Sequence, residues 1–565
     1  MDEEKIAIII YRQEDASYQR LMEQLATLEI PEIHGRPAEV EVVTMEGDGG
    51  RAAAYNAGMR QSSARCKVYL DTAVAWLNPR LLKMILEIFQ WPGHVGMVGF
   101  FGSSLPLDGD FRHARRKFGH FAWAEPQSGN VQQTHGESGI FCQRVQAVDG
   151  TCLATCEDVP WDEEVDECFL ATAHVLALQA RQLDTVVPVA REQMLPFVTM
   201  RLSPYFAEMD EAVFERARQG FLARYAAQVQ PLVSILIPAY NEPSFCREAL
   251  ESALQQEYGN IEILIGDDST DMRVRKALQP LLDQKENIQY FYRGNLPGEG
   301  ASANMQFLLN ECHGAFVNLL FHDDVIYPSK IAKMMAYFAE DIDEEIAFVT
   351  SKRDVIDTEG RVQGTMDSYG WMENRTFTGR HLCRNMLLHR NNIVGEQSTV
   401  LLRKALLRCG ETYDVGIFYG YQDVSMGDIS TWLELLRDGH VCVFLGETLS
   451  AFRNHARQNT HRPKTRLLCY LDWMNLAVLS YLHGTYLSER DFLDFCHVWG
   501  RVMQIVLPEI RKVVPPDCAV ALRACQQEVR AIEKGDPRDV IQQSIRYMES
   551  TGADARKFLA GTNAG

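Results

Sequence analysis

The sequence predicts an α/β protein: two tandem domains, each built on a mostly parallel, Rossmann-like sheet, followed by an α-helical C-terminal region. Three observations predict this. Short apolar runs alternate with helical stretches from about residue 5 to 200, and the alternation starts again at residue 231. The second stretch repeats the first in pattern: SANMQFLLNECHGAFVNLLFHDDVIYPSKIAKMMAYF lines up with AYNAGMRQSSARCKVYLDTAVAWLNPRLLKMILEIF. After about residue 463 strand patterns stop and helical ones take over. A repeat this long means two related domains, not a solenoid.

In order, IAIIIY reads as the opening strand, residues 18–28 as an amphipathic helix and Val40 to Thr44 as a strand. RAAAYNAGMRQSS is a helix, KVYLD a buried strand, and NPRLLKMILEIF a helix with Pro79 near its first turn. VGMVGFFG, a long polar loop and VQAVDGTCLAT complete a domain placed at residues 1–203. Residues 204–230 have helical period and few breakers, which predicts a connecting helix ended by Pro231. The second α/β domain is placed at 231–462, with Asn304 matching Asn56 at a helix start and Pro328 matching Pro79. The tail, 463–565, reads as helices, with Ser488 and Asp491 where an N-cap and its first turn belong.

The chain has 565 residues, 46 % hydrophobic and 23 % charged, ordinary globular values. Its net charge of −20 disfavours nucleic acid and anionic membranes as main partners, since both are polyanions. No apolar run approaches a bilayer-spanning length, and MDEEKIAIII lacks the basic region of a signal peptide. The cytoplasm is the expected compartment, with peripheral membrane contact left open. The 14 cysteines are scattered, without a CxxC, which predicts reduced, mostly buried thiols and gives no support for zinc.

Chemistry concentrates in the second domain. Three apolar runs end in polar clusters: Pro238 to Glu242 (PAYNE), Gly266 to Thr270 (GDDST), and the acid pair Asp323 and Asp324 after FVNLLFH. Strands that deliver polar groups at their C-terminal ends build the ligand crevice of an open α/β sheet. Carboxylates repel an anionic ligand unless a divalent cation lies between them or they bind its sugar and base donors. That is the logic of a nucleotide-sugar site. Two adjacent acids after so apolar a strand are costly unless neutralised, and Mg2+ or Mn2+ bridging a diphosphate would do so.

VSILIPAYNE, IEILIGDDST, GASANMQFLLNECHGAFVNLLFHDD, GEQSTVLLRKALL, DISTWLELLRDG and AFRNHARQ occur in this order over residues 231–462. In these motifs the domain resembles the inverting glycosyltransferases of family 2, which have the GT-A fold. Through YNAGMRQSSARCKVYLD, VGMVG and AVDGTCLAT the first domain more loosely resembles a glycosyltransferase-like group of the same superfamily. The resemblance implies two tandem GT-A-like domains and a metal-dependent transferase. It would move a sugar from a nucleoside-diphosphate sugar to a glycan, lipid-linked glycan or protein.

The resemblance also implies roles. Ala239, Tyr240 and Glu242 border the nucleotide, and Asp267 and Asp268, the latter foremost, bind base or ribose; turn and N-cap roles suit the same residue types. Asn304 helps hold the nucleotide. Asp324 is the direct metal ligand and Asp323 a sugar or metal contact, because the acid that many relatives carry two positions earlier is Phe321 here. His455 lies near the diphosphate or metal. Asp428, a few residues before Trp432, is the catalytic base, with Asp423 the competitor and Gly427 in place of the usual preceding Glu. Glu396, after Gly395, binds acceptor hydroxyls, and Trp371 forms a sugar-stacking wall.

The first domain has YRQED where the second has PAYNE, and LDTAV near the metal acids, which puts Ala73 and Val74 there and leaves only Asp71. It is expected not to transfer sugar. The rival reading has Asp71 and Asp166 active and the protein bifunctional. A binding protein without catalysis is a further alternative, against which the acid pair and Asp428 speak. GNLPGEGASAN lacks the spacing of a dinucleotide fingerprint, and PAYNE is not the Gly-rich basic loop of a nucleotidyltransferase.

Overall fold

The computed structural model describes the chain apart from residues 13–14, 48, 73, 75, 91–92, 126–128, 136–140, 190–209, 295–300, 368–369, 371–372, 423–424, 459–461 and 553–565. Two compact units result: residues 1–230 with 338–343, and residues 231–337 with 344–565.

In the first unit Asp2–Tyr11 is a strand flanked in parallel by Glu39–Met45 and Ala64–Asp71. A seven-stranded sheet continues beyond them with Cys152–Thr155 antiparallel, then Val95–Val98, Asp184–Pro188 and Cys142–Arg144. The run expected to be a long polar loop instead contains the antiparallel hairpin Lys117–Glu125 with Gly129–His135, part of a second, four-stranded sheet. The apolar–polar alternation of KFGHFAWAE fits a strand. Helix Glu211–Val229 is no free linker: Phe214, Ala217 and Phe221 are buried against Leu105, Phe111 and Phe169 of the first unit. Pro79 and Pro328 both lie just outside their helices, Leu81–Phe89 and Lys330–Ala339.

In the second unit four strands run parallel in the order Ile288–Tyr292, Ile261–Asp267, Val233–Ala239, Phe316–Leu319. Every residue of Val233–Ala239 is buried, as expected of a strand covered on both faces. Leu401–Arg403 then runs antiparallel, followed by the long strands Ile346–Ile356 and Val441–Arg453. The short strand Val325–Ile326 pairs with the end of Val441–Arg453, Val325 opposite Ala451. This register carries Arg453 and His455 to the acid pair just before Val325.

Helices Pro463–Leu482, Glu489–Val513, Ala519–Lys534 and Pro537–Ser550 form the predicted helical region. Ser488 and Asp491 make a reciprocal capping box, a device worth about 1 kcal/mol. One apolar core runs from Leu236 and Val317 through Trp432 to Leu471 and Trp499, so these helices are continuous with the second α/β unit. Among the described residues no helix is long and apolar enough to cross a membrane.

Candidate active site

The three strand ends singled out by the sequence are tied together. Ala239 stands opposite Asp267 in the parallel register, so the two strands finish side by side. Asn241 takes the left-handed conformation (φ 52°), which Asn tolerates better than most residues. Its N–H donates to Ser269 Oγ at 2.8 Å, and its Oδ1 accepts from the Thr270 N–H and hydroxyl, both at 3.0 Å. His322 Nδ1 lies 3.0 Å from the Pro238 carbonyl, which only accepts, so Nδ1 carries the proton.

On the side expected to face the nucleotide, Tyr240 is 47 % exposed, whereas Ala239 is buried and its carbonyl accepts from Asp268 N–H at 3.1 Å. Asp267 is fully buried and accepts from Ser269 N–H at 2.9 Å and from the Tyr290 hydroxyl. Burial and the Asp267 carboxylate push the Tyr290 phenol up, so it stays a donor. Asp268 lies 3.4 Å from the Arg293 guanidinium. Of the two acids Asp268 is thus the nearer to solvent, and Asp267 serves the loop. Glu242 pairs with Arg457 at 2.5 Å. Asn304 does not open its helix but lies within Ala301–Glu311, buried, its Nδ2 donating to the Gly266 carbonyl at 2.8 Å. A Cβ at Gly266 would meet Asn304 Oδ1 at 2.1 Å, so any side chain there must push the buried Asn304 amide aside.

The acid pair divides by burial. Asp323 Oδ2 lies 3.1 Å from His455 Nε2, and both side chains keep some exposure. Asp324 is only 2 % exposed, and its Oδ1 accepts from Arg453 N–H at 3.1 Å. Burial, the adjacent Asp323 and nearby Glu396 hold the Asp324 carboxyl well above the usual carboxylate range. Lys330, fully buried nearby, donates to the Ser398 carbonyl; burial brings it down to about 7 against the opposing pull of Asp324. Arg453 organises the whole turn: its Nε donates to the Asp323 carbonyl at 2.8 Å, its Nη2 bonds Glu248, and it lies over the Phe245 ring at 4.6 Å. Asp324, the expected direct metal ligand, is the buried member of the pair, and Asp323 with His455 is the more exposed one. Among the described residues no three His, Cys, Asp or Glu side chains converge as a ready-made metal cage.

Asp428 stands in the first turn of helix Gly427–Leu435, with Trp432 fully buried behind it. Asn392 Nδ2 donates to Asp428 Oδ2 at 2.6 Å. Burial, and secondarily the Glu396 carboxylate, push Asp428 up to about 6. Glu396 itself pairs with buried Arg353, whose Nη2 donates to Oε1 at 3.2 Å. Asn392 also bonds both ends of Gly395, whose φ of 108° favours glycine. The Glu396 carboxylate raises both Asp324 and Asp428, and its loop is bonded to both sides: Phe321 N–H, just before the acid pair, donates to Ser398 Oγ at 3.0 Å, and Asn392 bridges Gly395 and Asp428. Trp371 and Asp423 lie outside the described residues. The sequence reading assigned no role to Arg453, Lys330, Asn392 or Arg353. Arg453 stands in the motif AFRNHARQ, whose His alone was singled out.

The first unit differs at the matching place. Asp71 is 5 % exposed and pairs with Arg51 at 2.6 Å, and Glu167 lies 3.6 Å from the same guanidinium. Asp166 accepts from Cys168 N–H at 2.9 Å within a local turn. Ala73 lies outside the described residues. Asn56 is buried inside helix Gly50–Gln61, and both polar atoms of its side chain bond Trp161 or Glu163.

Comparison with known proteins matches both halves. Residues 7–225 match the model of the glycosyltransferase like family, and residues 234–407 that of glycosyl transferase family 2. An uncharacterized glycosyltransferase of Rickettsia typhi is 27 % identical over 237 residues, 42 % of this chain and 68 % of that protein. One from Rickettsia bellii is 37 % identical over 102 residues, 18 % of this chain but only 14 % of that protein. Among solved structures, S. aureus TarS 1–349 in complex with UDP-GlcNAc is 17 % identical, with a TM-score of 0.37, over 57 % of this chain and 91 % of that one. The chain belongs to the glycosyltransferases, with a family 2 glycosyl transferase domain at residues 234–407 and a glycosyltransferase-like family domain at residues 7–225.

Proposed function

We propose that the second unit transfers a sugar, with inversion, from a nucleoside-diphosphate sugar to a hydroxyl of a glycan, lipid-linked glycan or protein. The observation that carries the reading is that the more exposed pair Asp323 and His455 and the carboxyl of Asp428, raised to about 6, are tied to one loop, Gly395 to Ser398, through Phe321 N–H on Ser398 Oγ and through Asn392. A carboxylate raised toward neutrality is a better proton acceptor than an ordinary aspartate and is still ionised at pH 7. Asp428 takes the proton of the acceptor hydroxyl while that oxygen attacks the anomeric carbon. The bond from that carbon to the diphosphate oxygen breaks, and the electron pair leaves with the nucleoside diphosphate. A single displacement of this kind inverts the anomeric centre.

The oxygen and imidazole donors of Asp323 and His455 fit Mn2+ better than Mg2+, which keeps mostly oxygen ligands; diphosphate oxygens and water would complete the shell. Bound there, the ion would neutralise charge on the departing diphosphate. Asp324 supports this pair from below through Arg453 rather than ligating directly. Asp268, Tyr240 and Glu242 border the nucleoside, and Glu396 holds the acceptor side with Arg353. Measuring the anomeric configuration of the product by NMR tests the reaction type. The opposite anomer from the donor supports the proposal, and the same anomer overturns it.

A further inference from the structure

The helical region reaches the segment before the base through one buried acid. Asp472, on helix Pro463–Leu482, is 1 % exposed. Its Oδ2 accepts from Ser425 N–H at 2.9 Å and from the Ser425 hydroxyl at 2.7 Å, and its Oδ1 from the Tyr421 hydroxyl at 3.2 Å. The Tyr421 oxygen in turn accepts from Asn475 Nδ2 at 2.9 Å, and Asn475 Oδ1 accepts from the Ser544 hydroxyl at 2.7 Å. A buried polar line therefore runs from the last helix, Pro537–Ser550, to Tyr421 and Ser425, the latter just before the helix that bears Asp428.

A buried carboxylate is costly unless its oxygens are satisfied, and three donors come from this one segment. Helix Gly427–Leu435 begins at Met426, which makes no side-chain cap. Within the turn Ile429 N–H donates to Asp428 Oδ1 at 2.8 Å and Asn392 holds Oδ2, while the residue that leads into the helix, Ser425, is held by Asp472.

We propose that Asp472 is a positioning residue for the base: by gripping Ser425 it fixes the first turn of the Gly427–Leu435 helix and hence the direction of the Asp428 carboxylate. The proposal rests on Asp428 being the base. It gives the C-terminal helices a part in the chemistry although they contribute no group to the reacting atoms.

The test uses the full chain with Asp472→Asn and, as a milder change that keeps the Ser425 N–H, Ser425→Ala. Hydrogen exchange of residues 425–433 should quicken about tenfold or more in Asp472→Asn and less in Ser425→Ala, with strand Val233–Ala239 unchanged. This readout needs no donor, so it decides the hold on Ser425 whichever sugar is used. In Mn2+-dependent hydrolysis of UDP-GlcNAc, kcat should fall about tenfold or more with donor KM within twofold, and the acid limb of the pH profile should move. Wild-type exchange and an unmoved acid limb in Asp472→Asn overturn the positioning role. If Asp428→Asn turns over like wild type, the base assignment itself fails. If Asp428→Asn is inactive while Asp472→Asn matches wild type throughout, the positioning role alone is wrong.

Discussion

The two units place an acid near the end of the strand next to their first strand and treat it in opposite ways. In the first unit Asp71 is closed off by the Arg51 guanidinium at 2.6 Å, with Glu167 sharing the same cation. In the second, Asp323 faces the His455 imidazole, and Arg453 donates to the Asp323 backbone carbonyl. A carboxylate already neutralised by a guanidinium has little to offer an outside cation, whereas one paired with histidine retains ligand capacity. The difference teaches that the scaffold repeats but the charge balance at the strand end does not, and under the proposed function that balance is what separates the two units.

The largest effect should come from the base. Asp428→Asn keeps the shape and a hydrogen bond to Asn392 but cannot take a proton, so kcat should drop by about 10²–10⁴ with donor binding kept. Steady-state kinetics alongside donor titration checks this. Full activity in the variant would move the base elsewhere, with Asp423 the first residue to try. Next, His455→Ala should weaken donor binding in the presence of Mn2+ by about tenfold, in the range of a lost metal contact, while Asp71→Ala at the corresponding strand end of the first unit should leave transfer unaltered. Equal losses in the two variants would erase the contrast between the units.

Protonation sharpens the same contrast. The base works ionised, so kcat/KM in the second unit should fall as pH drops through about 6, against an ordinary value of 3.8 for an aspartate. The Asn392 amide favours the ionised form, so Asn392→Ala should shift that limb to higher pH. The smallest effect is on stability. Gly266→Ala drives a methyl into Asn304 Oδ1 and should cost about 1–3 kcal/mol by denaturant titration.

Much of this was legible in the sequence, for physical reasons. Fully buried parallel strands must be continuous apolar runs, so VSILIPA and IEILIGD announced themselves and their polar ends marked the crevice. The tandem α/β plan and the helical tail followed from the same periodicities. Burial within the acid pair was not legible. It depends on which neighbour receives the Arg453 N–H, and Arg453 comes from a strand more than a hundred residues later, brought in by the Val325–Ala451 register. Lys330 and Arg353 were invisible because burial of a cation is set by tertiary packing, not by local pattern. The Lys117–His135 hairpin was missed because its glycines, histidines and glutamines outweighed a short alternation of Phe, Ala and Trp. The contiguity of the helical tail with the second unit rests on Asp472 and the shared core, neither of which has a sequence signal.

The most direct measurement of the central claim is a thermal-shift titration of the full chain with UDP and with GDP, with and without Mn2+, for wild type, Asp323→Ala and Asp71→Ala. The account predicts stabilisation by at least one of the nucleotides that requires Mn2+, persists in Asp71→Ala and disappears in Asp323→Ala. Stabilisation that survives in Asp323→Ala and is lost in Asp71→Ala would contradict it and place the donor in the first unit.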